Sequence, residues 1–424
     1  MKMQNTLDFA LESDKNDEIS HYRNRFYIPQ VNGRDSLYFT GNSLGLQPKS
    51  VQTYVQQELD DWAKFGVEGH FEAKNPWVSY HKILSQPFSK LVGAQTEEVV
   101  AMNGLSVNLH LMLVSFYQPK GKRTKIICES KAFPSDQYVL ESQVRFHGLD
   151  PEETIVEVQP RDGEYTIREE DILSCINDVG DELALVFWGG VNYYTGQVFD
   201  MALISSQAKA VGAIVGLDLA HGVGNISLSL HDWDVDFAAW CTYKYLNSGP
   251  GGISGVFIHE KHAKNFSLPR FSGWWGHDEE RRFLMEKGFV PMRGAQGWQL
   301  SNAPVLTMAS CKASMDIFEE VGMSKLRVKS NLLTSFMEFI FNDISARYDH
   351  CNFEIITPSE PNRRGCQLSV LTHGHGKELF DFISKEGVIA DWREPNVIRL
   401  APVPLYNSFE DIYKLGQIIE KALS

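Results

Sequence analysis

Between residues 90 and 302, short continuous apolar runs alternate with segments whose apolar residues recur at helical spacing. Apolar runs of four to eight residues bounded by turn residues are typical of buried strands. The pattern predicts strands in the segments 124–130, 183–190, 213–220, 236–244 and 251–260. The segment 200–212 has the pattern of a helix between two of these strands. This alternation predicts an α/β fold, in which a mostly parallel, mixed sheet lies between layers of helices.

The pattern changes after Asn302. Two long helices are predicted over 303–321 and 324–348, followed by short strands and a final helix. Asn407 and Glu410 have the spacing of a capping box that opens this last helix. We therefore expect a smaller α+β domain at the C-terminus, with a boundary near residue 305.

Composition narrows the classes of function. The chain has 424 residues and a formal net charge of -14, which disfavours binding to nucleic acid phosphates. No apolar stretch has the length of a membrane span, and the first residues lack the features of a signal peptide. The six cysteines are scattered without a C-x-x-C pair, so we expect reduced, mostly buried thiols and a cytoplasmic protein: Cys128, Cys175, Cys241, Cys311, Cys351 and Cys366.

A lysine and an aspartate follow two consecutive predicted strands. Asp218 closes one apolar run and Lys244 closes the next, just before a loop rich in Asn, Ser and Gly. Ligands of open α/β sheets gather at the carboxyl ends of the strands, so both side chains are expected in one crevice. Pyridoxal phosphate (PLP) needs this pair, because a lysine amine binds its aldehyde and a carboxylate keeps its ring nitrogen protonated. We expect Asp218, buried and facing that cation, to stay ionised.

Each of these residues alone has an ordinary interpretation. A single lysine after a strand is usually a solvated side chain, and a single aspartate is usually a cap. Their occurrence together in DLAH and TYKYLNSGPGG favours the functional interpretation. His221 follows Asp218 by three residues, and its spacing fits equally a ring beside a cofactor and a histidine packed in the core.

Two further segments suit the rest of such a cofactor. Leu105 and Ser106 open an apolar helix after Asn103-Gly104, and backbone N–H groups at a helix start bind phosphate. Phe133 supplies an aromatic ring that can stack on a flat heterocycle, with Asp136 close by. The alternatives are a plain helix cap and a core phenylalanine.

A metal site is not predicted. The 13 histidines show no ligand spacing along the chain. The closest pair lies in HGHGK at 373–377, which has the composition of an exposed turn.

Motifs along nearly the whole chain resemble those of the kynureninase family, PLP enzymes of fold type I (aspartate aminotransferase-like). The segments that carry the resemblance, in chain order, are 38–49 (YFTGNSLGLQPK), 67–71 (VEGHF), 102–113 (MNGLSVNLHLML), 133–138 (FPSDQY), 192–197 (NYYTGQ), 218–252, 273–277 (GWWGH), 301–306 (SNAPVL) and 397–411. The long segment around Lys244 is typical of this family rather than of the superfamily. The resemblance implies the PLP-dependent transferase fold, with an N-terminal segment (1–60) packed on the small domain and on a dimer partner, a large domain (61–305) and a small domain (306–424).

The resemblance also implies roles for individual residues. Lys244 would carry PLP as a Schiff base and act in catalysis, and Tyr243 is our candidate acid/base beside it. The implied cofactor-binding residues are Leu105, Ser106, Phe133, Asp136, Asp218, His221, Tyr243, Lys244, Trp274 and Asn302. The implied substrate-binding residues are His70, Asn302 and Arg399, whose guanidinium suits a carboxylate. Trp274 and Asn302 would come from the neighbouring subunit of a homodimer with interface active sites.

Two positions depart from the family pattern. Gly189 stands where a hydroxyl residue is common, which puts one cofactor contact in doubt. Ser106 replaces a common threonine and keeps its hydroxyl.

The implied reaction is hydrolytic cleavage of the Cβ–Cγ bond of kynurenine or 3-hydroxykynurenine, giving anthranilate or 3-hydroxyanthranilate and alanine. The polar pair His70 and Asn302 favours 3-hydroxykynurenine. One alternative is another fold type I PLP enzyme, such as a cysteine desulfurase or an aminotransferase; a desulfurase needs a reactive thiol near the cofactor. Another alternative is a catalytically silent binding protein, which the presence of Lys244, Asp218 and Arg399 disfavours.

Overall fold

The structure is a computed structural model that describes residues 2–348, 352–374 and 376–424. Cys351, and His375 of the HGHGK segment, lie outside the described residues.

Helices and strands alternate through most of the described chain. The helices are α1 (Leu7–Lys15), α2 (Val51–Phe65), α3 (Gly69–Glu72), α4 (Ser85–Val92), α5 (Leu105–Phe116), α6 (Pro134–Phe146), α7 (Pro151–Thr154), α8 (Glu169–Val179), α9 (Met201–Ala210), α10 (Val305–Val321), α11 (Met323–Arg347), α12 (Gly376–Lys385) and α13 (Phe409–Leu423). The strands are β1 (Gln30–Val31), β2 (Arg34–Asp35), β3 (Leu37–Tyr38), β4 (Val99–Ala101), β5 (Lys125–Glu129), β6 (Ile155–Val158), β7 (Leu183–Gly189), β8 (Ile214–Asp218), β9 (Phe237–Cys241), β10 (Ser254–Ile258), β11 (Asn352–Ile355), β12 (Leu368–His373), β13 (Val388–Ile389), β14 (Asp391–Arg393) and β15 (Val397–Leu400).

A seven-stranded sheet forms the centre of the larger part, in the order β4-β10-β9-β8-β7-β5-β6. The strands from β9 to β6 run parallel, and β10 is antiparallel to both of its neighbours. The apolar runs identified in the sequence form β5, β7, β8, β9 and β10. The predicted α/β fold with a mostly parallel, mixed sheet is therefore confirmed, while β4 and β6 had no clear signal in the pattern.

Both faces of this sheet are buried, which explains why its strands are continuously apolar rather than alternating. Successive side chains point to opposite faces, so Val186 and Phe187 of β7 join two different apolar clusters. On one face the ring of Phe116 from α5 stacks on Phe237 with centroids 5.0 Å apart. On the other, Phe88 from α4 meets Trp240 edge to face.

A second, four-stranded antiparallel sheet, β11-β12-β15-β14, lies in the C-terminal part. Its core combines apolar residues of α11, α12 and α13 with Ala10, Leu37 and Phe39 of the N-terminal segment. β3 pairs in parallel with β13, and the Asp14 carboxylate accepts the N–H groups of Phe409 and Glu410 at the start of α13. The N-terminal segment thus contacts the C-terminal part; the boundaries at 60 and 305 stay predictions.

Two local predictions were wrong by a few residues. Lys244 does not close its strand, because β9 ends at Cys241 and the Thr242 hydroxyl turns the chain by donating to the Ile253 carbonyl. The capping box of α13 consists of Ser408 and Asp411. Asn407 instead accepts the Val403 N–H and donates to the Tyr38 carbonyl, so it joins the chain before the helix to β3.

Candidate active site

A cavity of about 310 Å³ lies at the carboxyl ends of the parallel strands. This is the edge where open α/β sheets bind ligands. The sequence-predicted residues that line it are Leu105, Ser106, Phe133, Asp136, Asp218, His221, Tyr243 and Lys244. They come from four separate segments, so the fold assembles most of the predicted cofactor set in one place.

Lys244 lies in the turn after β9 and projects its amine into this cavity. Its Nζ lies 3.0 Å from Nε2 of His221 and 5.7 Å from the ring centroid of Phe133. Burial and the nearby Lys244 charge hold the pKa of His221 well below its usual range, so the imidazole is neutral. Nε2 therefore accepts from Nζ and Nδ1 carries the hydrogen. Nδ1 has no hydrogen-bond partner within the described part of the chain.

Asp218 ends β8 and lies at the floor of the cavity. Its Oδ1 accepts the N–H of Ala220 at 2.7 Å. Burial raises the pKa of Asp218, whereas the Ala220 N–H, Asp136 and Lys244 oppose that rise. Burial and the Asp218 charge raise the pKa of Asp136 well above its usual range. The pair is arranged to share one proton, carried by Asp136 and donated to Asp218, which leaves Asp218 as the acceptor with negative charge.

Glu129 is a third carboxyl in the cavity wall, and the sequence analysis missed it. It ends β5, is 4% exposed and accepts a hydrogen bond from Nδ2 of Asn192 at 2.8 Å. A Cβ atom at Gly189 would lie 2.5 Å from Glu129 Oε1. The position where the family pattern has a hydroxyl residue is therefore filled by a carboxyl oxygen from the neighbouring strand.

The start of α5 faces the same cavity. Gly104 is the N-cap residue and provides no side-chain cap, so the first N–H groups of the helix are available to an anion. Asn103 adopts a positive φ of 50°, and Asn108 ties the preceding chain to the helix by donating to the Met102 carbonyl. Together with the Ser106 hydroxyl, this helix start has the donors that a phosphate group requires.

Aromatic side chains form one wall. Phe133 is 40% exposed toward the cavity and packs edge to face on Tyr193 with centroids 5.2 Å apart. Tyr243 precedes Lys244 and also lines the cavity. Burial and the neighbouring Cys241 raise the pKa of Tyr243 above its usual range, so its hydroxyl stays protonated and can donate.

Arg399 does not line the cavity wall but lies directly behind Tyr193. Its Nη1 donates to the Tyr193 carbonyl at 2.6 Å and its Nη2 to Asp391 at 2.6 Å. The guanidinium is 1% exposed, and its Nε has no partner among the residues that the structure describes. One donor of Arg399 is thus free, beside a residue of the cavity wall.

Besides Arg399, three predicted residues do not line this cavity. His70 bonds the Val67 carbonyl through Nδ1 and packs on Trp77. Trp274 is 51% exposed, and Asn302 is also exposed. Other large apolar side chains are exposed besides Trp274, including Trp62, Phe71, Phe271 and Phe283.

The fold assembles one histidine cluster that sequence spacing did not reveal. Glu98, His231 and His259 bring their ligand-type atoms within 4.8 Å of one another. These atoms already have hydrogen-bond partners within the chain. The Glu98 carboxylate accepts from Gln95, His231 and Glu260, and His259 Nδ1 accepts the Lys261 N–H. The cluster therefore ties together the segments before β4, before β9 and after β10.

The described cysteines are free, and Cys128, Cys241, Cys311 and Cys366 are buried whereas Cys175 is half-buried. Burial raises the pKa of the thiols, to about 12 for Cys311 and Cys366. No helix in the described part of the chain has both the length and the apolar character to cross a bilayer.

Comparison with known proteins finds relatives over the full length. A family model described as the kynureninase C-terminal domain matches residues 326–419. The kynureninase of Flavobacterium johnsoniae is 59% identical over 423 residues, covering 100% of this chain and 99% of the relative. The kynureninase of Nematostella vectensis is 47% identical over 434 residues, covering 98% of this chain and 93% of the relative.

Solved structures with the same fold are more distant in sequence. The cysteine desulfurase of Thermococcus onnurineus NA1, in its apo form, superposes with a TM-score of 0.75 at 17% identity, covering 92% of this chain and 94% of that one. The cysteine desulfurase CsdA of Escherichia coli gives a TM-score of 0.76 at 16% identity, covering 96% and 98%. At this identity the likeness supports the fold alone, and it confirms the fold type I architecture.

Proposed function

The chain belongs to the kynureninase family, and from this premise we propose that its cavity binds PLP and cleaves the Cβ–Cγ bond of kynurenines. The products are anthranilate, or its 3-hydroxy form, and alanine. The relatives that carry this name match the chain from end to end. The observation that carries the proposal is that Lys244 and Asp218 meet in one cavity with the uncapped start of α5.

The side chains present fit PLP. Lys244 Nζ is a reactive amine inside the cavity, and Asp218 is a carboxylate that can face the ring nitrogen. The start of α5 with Ser106 suits the phosphate, and Tyr243 is a further donor there. The buried Nδ1 of His221 lacks a partner among the described residues, which suits a residue that contacts a bound group. PLP, once bound, withdraws electrons from the substrate α-carbon.

The residues around the ring then have distinct tasks. Phe133 would pack against the bound ring, and the pair of Asp218 and Asp136 would supply the negative charge that keeps its nitrogen protonated. Lys244 Nζ would act as the base that takes the proton from the substrate α-carbon. His221, neutral and adjacent to Nζ, accepts its hydrogen bond and orients it.

Water must then attack the γ-carbonyl carbon of the substrate before the Cβ–Cγ bond breaks. Tyr243 keeps its hydroxyl proton because of burial, so it can donate that proton to the carbonyl oxygen and take it back when the Cβ–Cγ bond breaks. Arg399 holds the α-carboxylate through its free Nε, while Asp391 and the Tyr193 carbonyl fix the guanidinium plane.

We also propose a homodimer in which Trp274 and Asn302 complete the neighbouring subunit's site. Both residues are exposed and outside this chain's cavity, as are several large apolar side chains that a second copy would cover. His70 and Asn302 are the groups proposed to prefer 3-hydroxykynurenine. Free cysteines among the described residues support a cytoplasmic location.

A cysteine desulfurase is an alternative that shares the fold, but no observation at the described residues of the site favours it. Cys241, the cysteine closest in sequence to Lys244, is 3% exposed and burial raises the pKa of its thiol. A thiol nucleophile requires the opposite, an accessible group with a lowered pKa.

The test of the proposal is product formation from kynurenine and from 3-hydroxykynurenine with PLP present. We expect the wild-type protein to release anthranilate, 3-hydroxyanthranilate and alanine, with a higher kcat/KM for 3-hydroxykynurenine. Lys244→Ala should lower turnover at least about 10⁴-fold because it removes both the cofactor linkage and the base. Lys264→Ala, which changes an exposed lysine, is the matched control. Turnover in Lys244→Ala equal to that of the control would contradict the proposal.

A further inference from the structure

Glu129 is a buried carboxyl in the cavity that the proposed mechanism does not use. Its Oε2 accepts from Asn192, and its Oε1 occupies the space that the absent side chain of Gly189 leaves. Asn192 cannot turn its other end toward Glu129, since Asn192 Oδ1 already accepts the N–H groups of Tyr194 and Thr195 at 2.9 and 2.8 Å. Glu129 therefore receives one neutral hydrogen bond from a donor whose orientation is held.

The charges around Glu129 are mostly of its own sign. Asp218 at the end of β8 and Asp136 in α6 face it across the floor, and Lys244 is the cation of the same cavity. On the neighbouring strand β6, Glu157 pairs with Cys128, the residue that precedes Glu129. Glu157 is exposed. Within the described ranges, no lysine or arginine forms an ion pair with Glu129.

A buried carboxyl with one neutral donor and a carboxylate neighbour is stable in its protonated form. Burial and the Asp218 charge raise the pKa of Glu129 to about 7, against the opposing effect of Asn192. The electrostatics and the hydrogen bonding of Glu129 thus both favour its protonated form.

Glu129 also connects the cavity floor to the substrate-binding arginine. Asn192 shapes the turn that follows it, and the carbonyl of the next residue, Tyr193, accepts from Arg399 Nη1 at 2.6 Å. The same turn is held from the C-terminal part by Gln367, which donates to the Tyr193 carbonyl, and by Ser369, which donates to the Tyr194 carbonyl. A change in the charge of Glu129 can therefore affect the position of Arg399 through the turn at 192–195.

We propose that Glu129 is a positioning residue that carries a proton in the resting enzyme and whose loss of that proton sets the pH response of the site. While Glu129 is protonated, Asp218 provides the negative charge of the cavity floor for the cofactor ring. Loss of the proton places a second negative charge beside Asp218 and changes the hydrogen bond between Glu129 and Asn192. Asn192 in turn holds the turn at 192–195, whose Tyr193 carbonyl accepts from Arg399. This inference rests on the proposed function, because it assigns the pH response of that same site.

The first test is infrared difference spectroscopy of the holoenzyme between pH 5.5 and 8.5, with Glu129→Gln and the exposed-site control Glu157→Gln. We expect a protonated-carboxyl band that disappears with a midpoint near neutral pH in the wild type and in the control. The band should be missing from Glu129→Gln, while any band from Asp136 is common to all three proteins. Persistence of the titrating band in Glu129→Gln would overturn the proposal.

Thermal unfolding of the holoenzyme provides a second readout with a defined sign. In the unfolded chain Glu129 ionises near 4.5, its ordinary value, whereas in the folded chain it ionises near 7. Between these values the folded state binds the extra proton, so rising pH destabilises the wild type until the pH passes the folded value. The Tm of Glu129→Gln relative to the wild type should therefore rise by about 2–4 °C between pH 5 and pH 8. A difference that does not change with pH would count against a protonated Glu129.

The third readout links the proton to the reaction. In the wild type we expect an inflection of kcat/KM in the neutral range that Glu129→Gln lacks and Glu157→Gln keeps. A merely structural role would lower activity equally at every pH, and an unchanged inflection in Glu129→Gln would overturn the coupling. If the wild type failed to cleave kynurenines, the proposed function would fail, whereas the infrared band, recorded without substrate, would still report on Glu129.

Discussion

The residues of the cavity floor and the exposed residues assigned to its rim differ in whether this chain brings them to the cavity. Of the floor residues, Asp218 ends β8, Asp136 lies in the first turn of α6 and Lys244 lies in the turn after β9. Asp218 interacts with both Asp136 and Lys244 within the chain. Trp274 and Asn302 are exposed and lie outside that cavity. This difference is the basis of the proposal that one chain supplies the charged residues of its site, while a second copy supplies Trp274 and Asn302.

Removal of the floor charge is the strongest way to test the first half of this comparison. Asp218→Asn keeps the shape of the side chain but removes its negative charge, so the ring nitrogen of the cofactor loses its counter-ion. We expect kcat to fall about 10²–10³-fold, the usual cost of losing one preorganised electrostatic partner. The measurement is steady-state cleavage of 3-hydroxykynurenine with saturating PLP.

Asp162→Asn, at an exposed aspartate, is the control and should match the wild type. A rate for Asp218→Asn equal to that of the control would remove Asp218 from the cofactor site.

Subunit complementation tests the second half. The double variant Trp274→Ala/Asn302→Ala should lose about 10–100-fold in kcat/KM, because the aromatic and polar contacts of these two residues together are expected to be worth about 1.4–2.7 kcal/mol. Mixed with Lys244→Ala chains, it should regain activity, since one site of each mixed dimer then has an intact floor and an intact rim. Equal mixing predicts about a quarter of the wild-type rate, since half of the dimers are mixed and each has one intact site.

If the rim residues acted within their own chain, mixed dimers would stay as inactive as the separate variants. Phe266→Ala, at another exposed aromatic residue, tests whether loss of any exposed ring has the same effect.

The smallest effect is expected at the helix start. Ser106→Ala removes one hydroxyl donor but keeps the backbone N–H groups of α5, so the dissociation constant of PLP should rise about 10-fold rather than be abolished. Equilibrium dialysis of PLP against the apo-protein measures this, with the exposed Ser359→Ala as the control. An unchanged dissociation constant would place the phosphate elsewhere.

The residues of the cavity floor could be predicted from the sequence more readily than the rest of the site. The buried strands are continuous apolar runs, so the polar residues that follow them, Asp218 and Lys244, stand out in the sequence. The end of β9 was placed three residues late because Tyr243 and Thr242 continue the β-like composition, although the Thr242 hydroxyl already turns the chain.

Residues that depend on distant partners were not predictable in the same way. Glu129 ends the apolar run of β5 as Asp218 ends that of β8, but its partner Asn192 is 63 positions away, so the sequence does not show that it enters the site. Glu98, His231 and His259 likewise meet through the sheet. The capping box of α13 was displaced by one residue because Asn407 and Ser408 are both good N-cap residues, and the contact of Asn407 with β3 decides between them.

The central claim is that the amine of Lys244 holds the cofactor in this cavity. Borohydride reduction of the PLP-loaded protein, followed by proteolysis and mass spectrometry of the peptides, tests it directly. The account predicts one phosphopyridoxyl adduct per chain, on Lys244, and none on Lys264. An adduct on another lysine with Lys244 unmodified would contradict it.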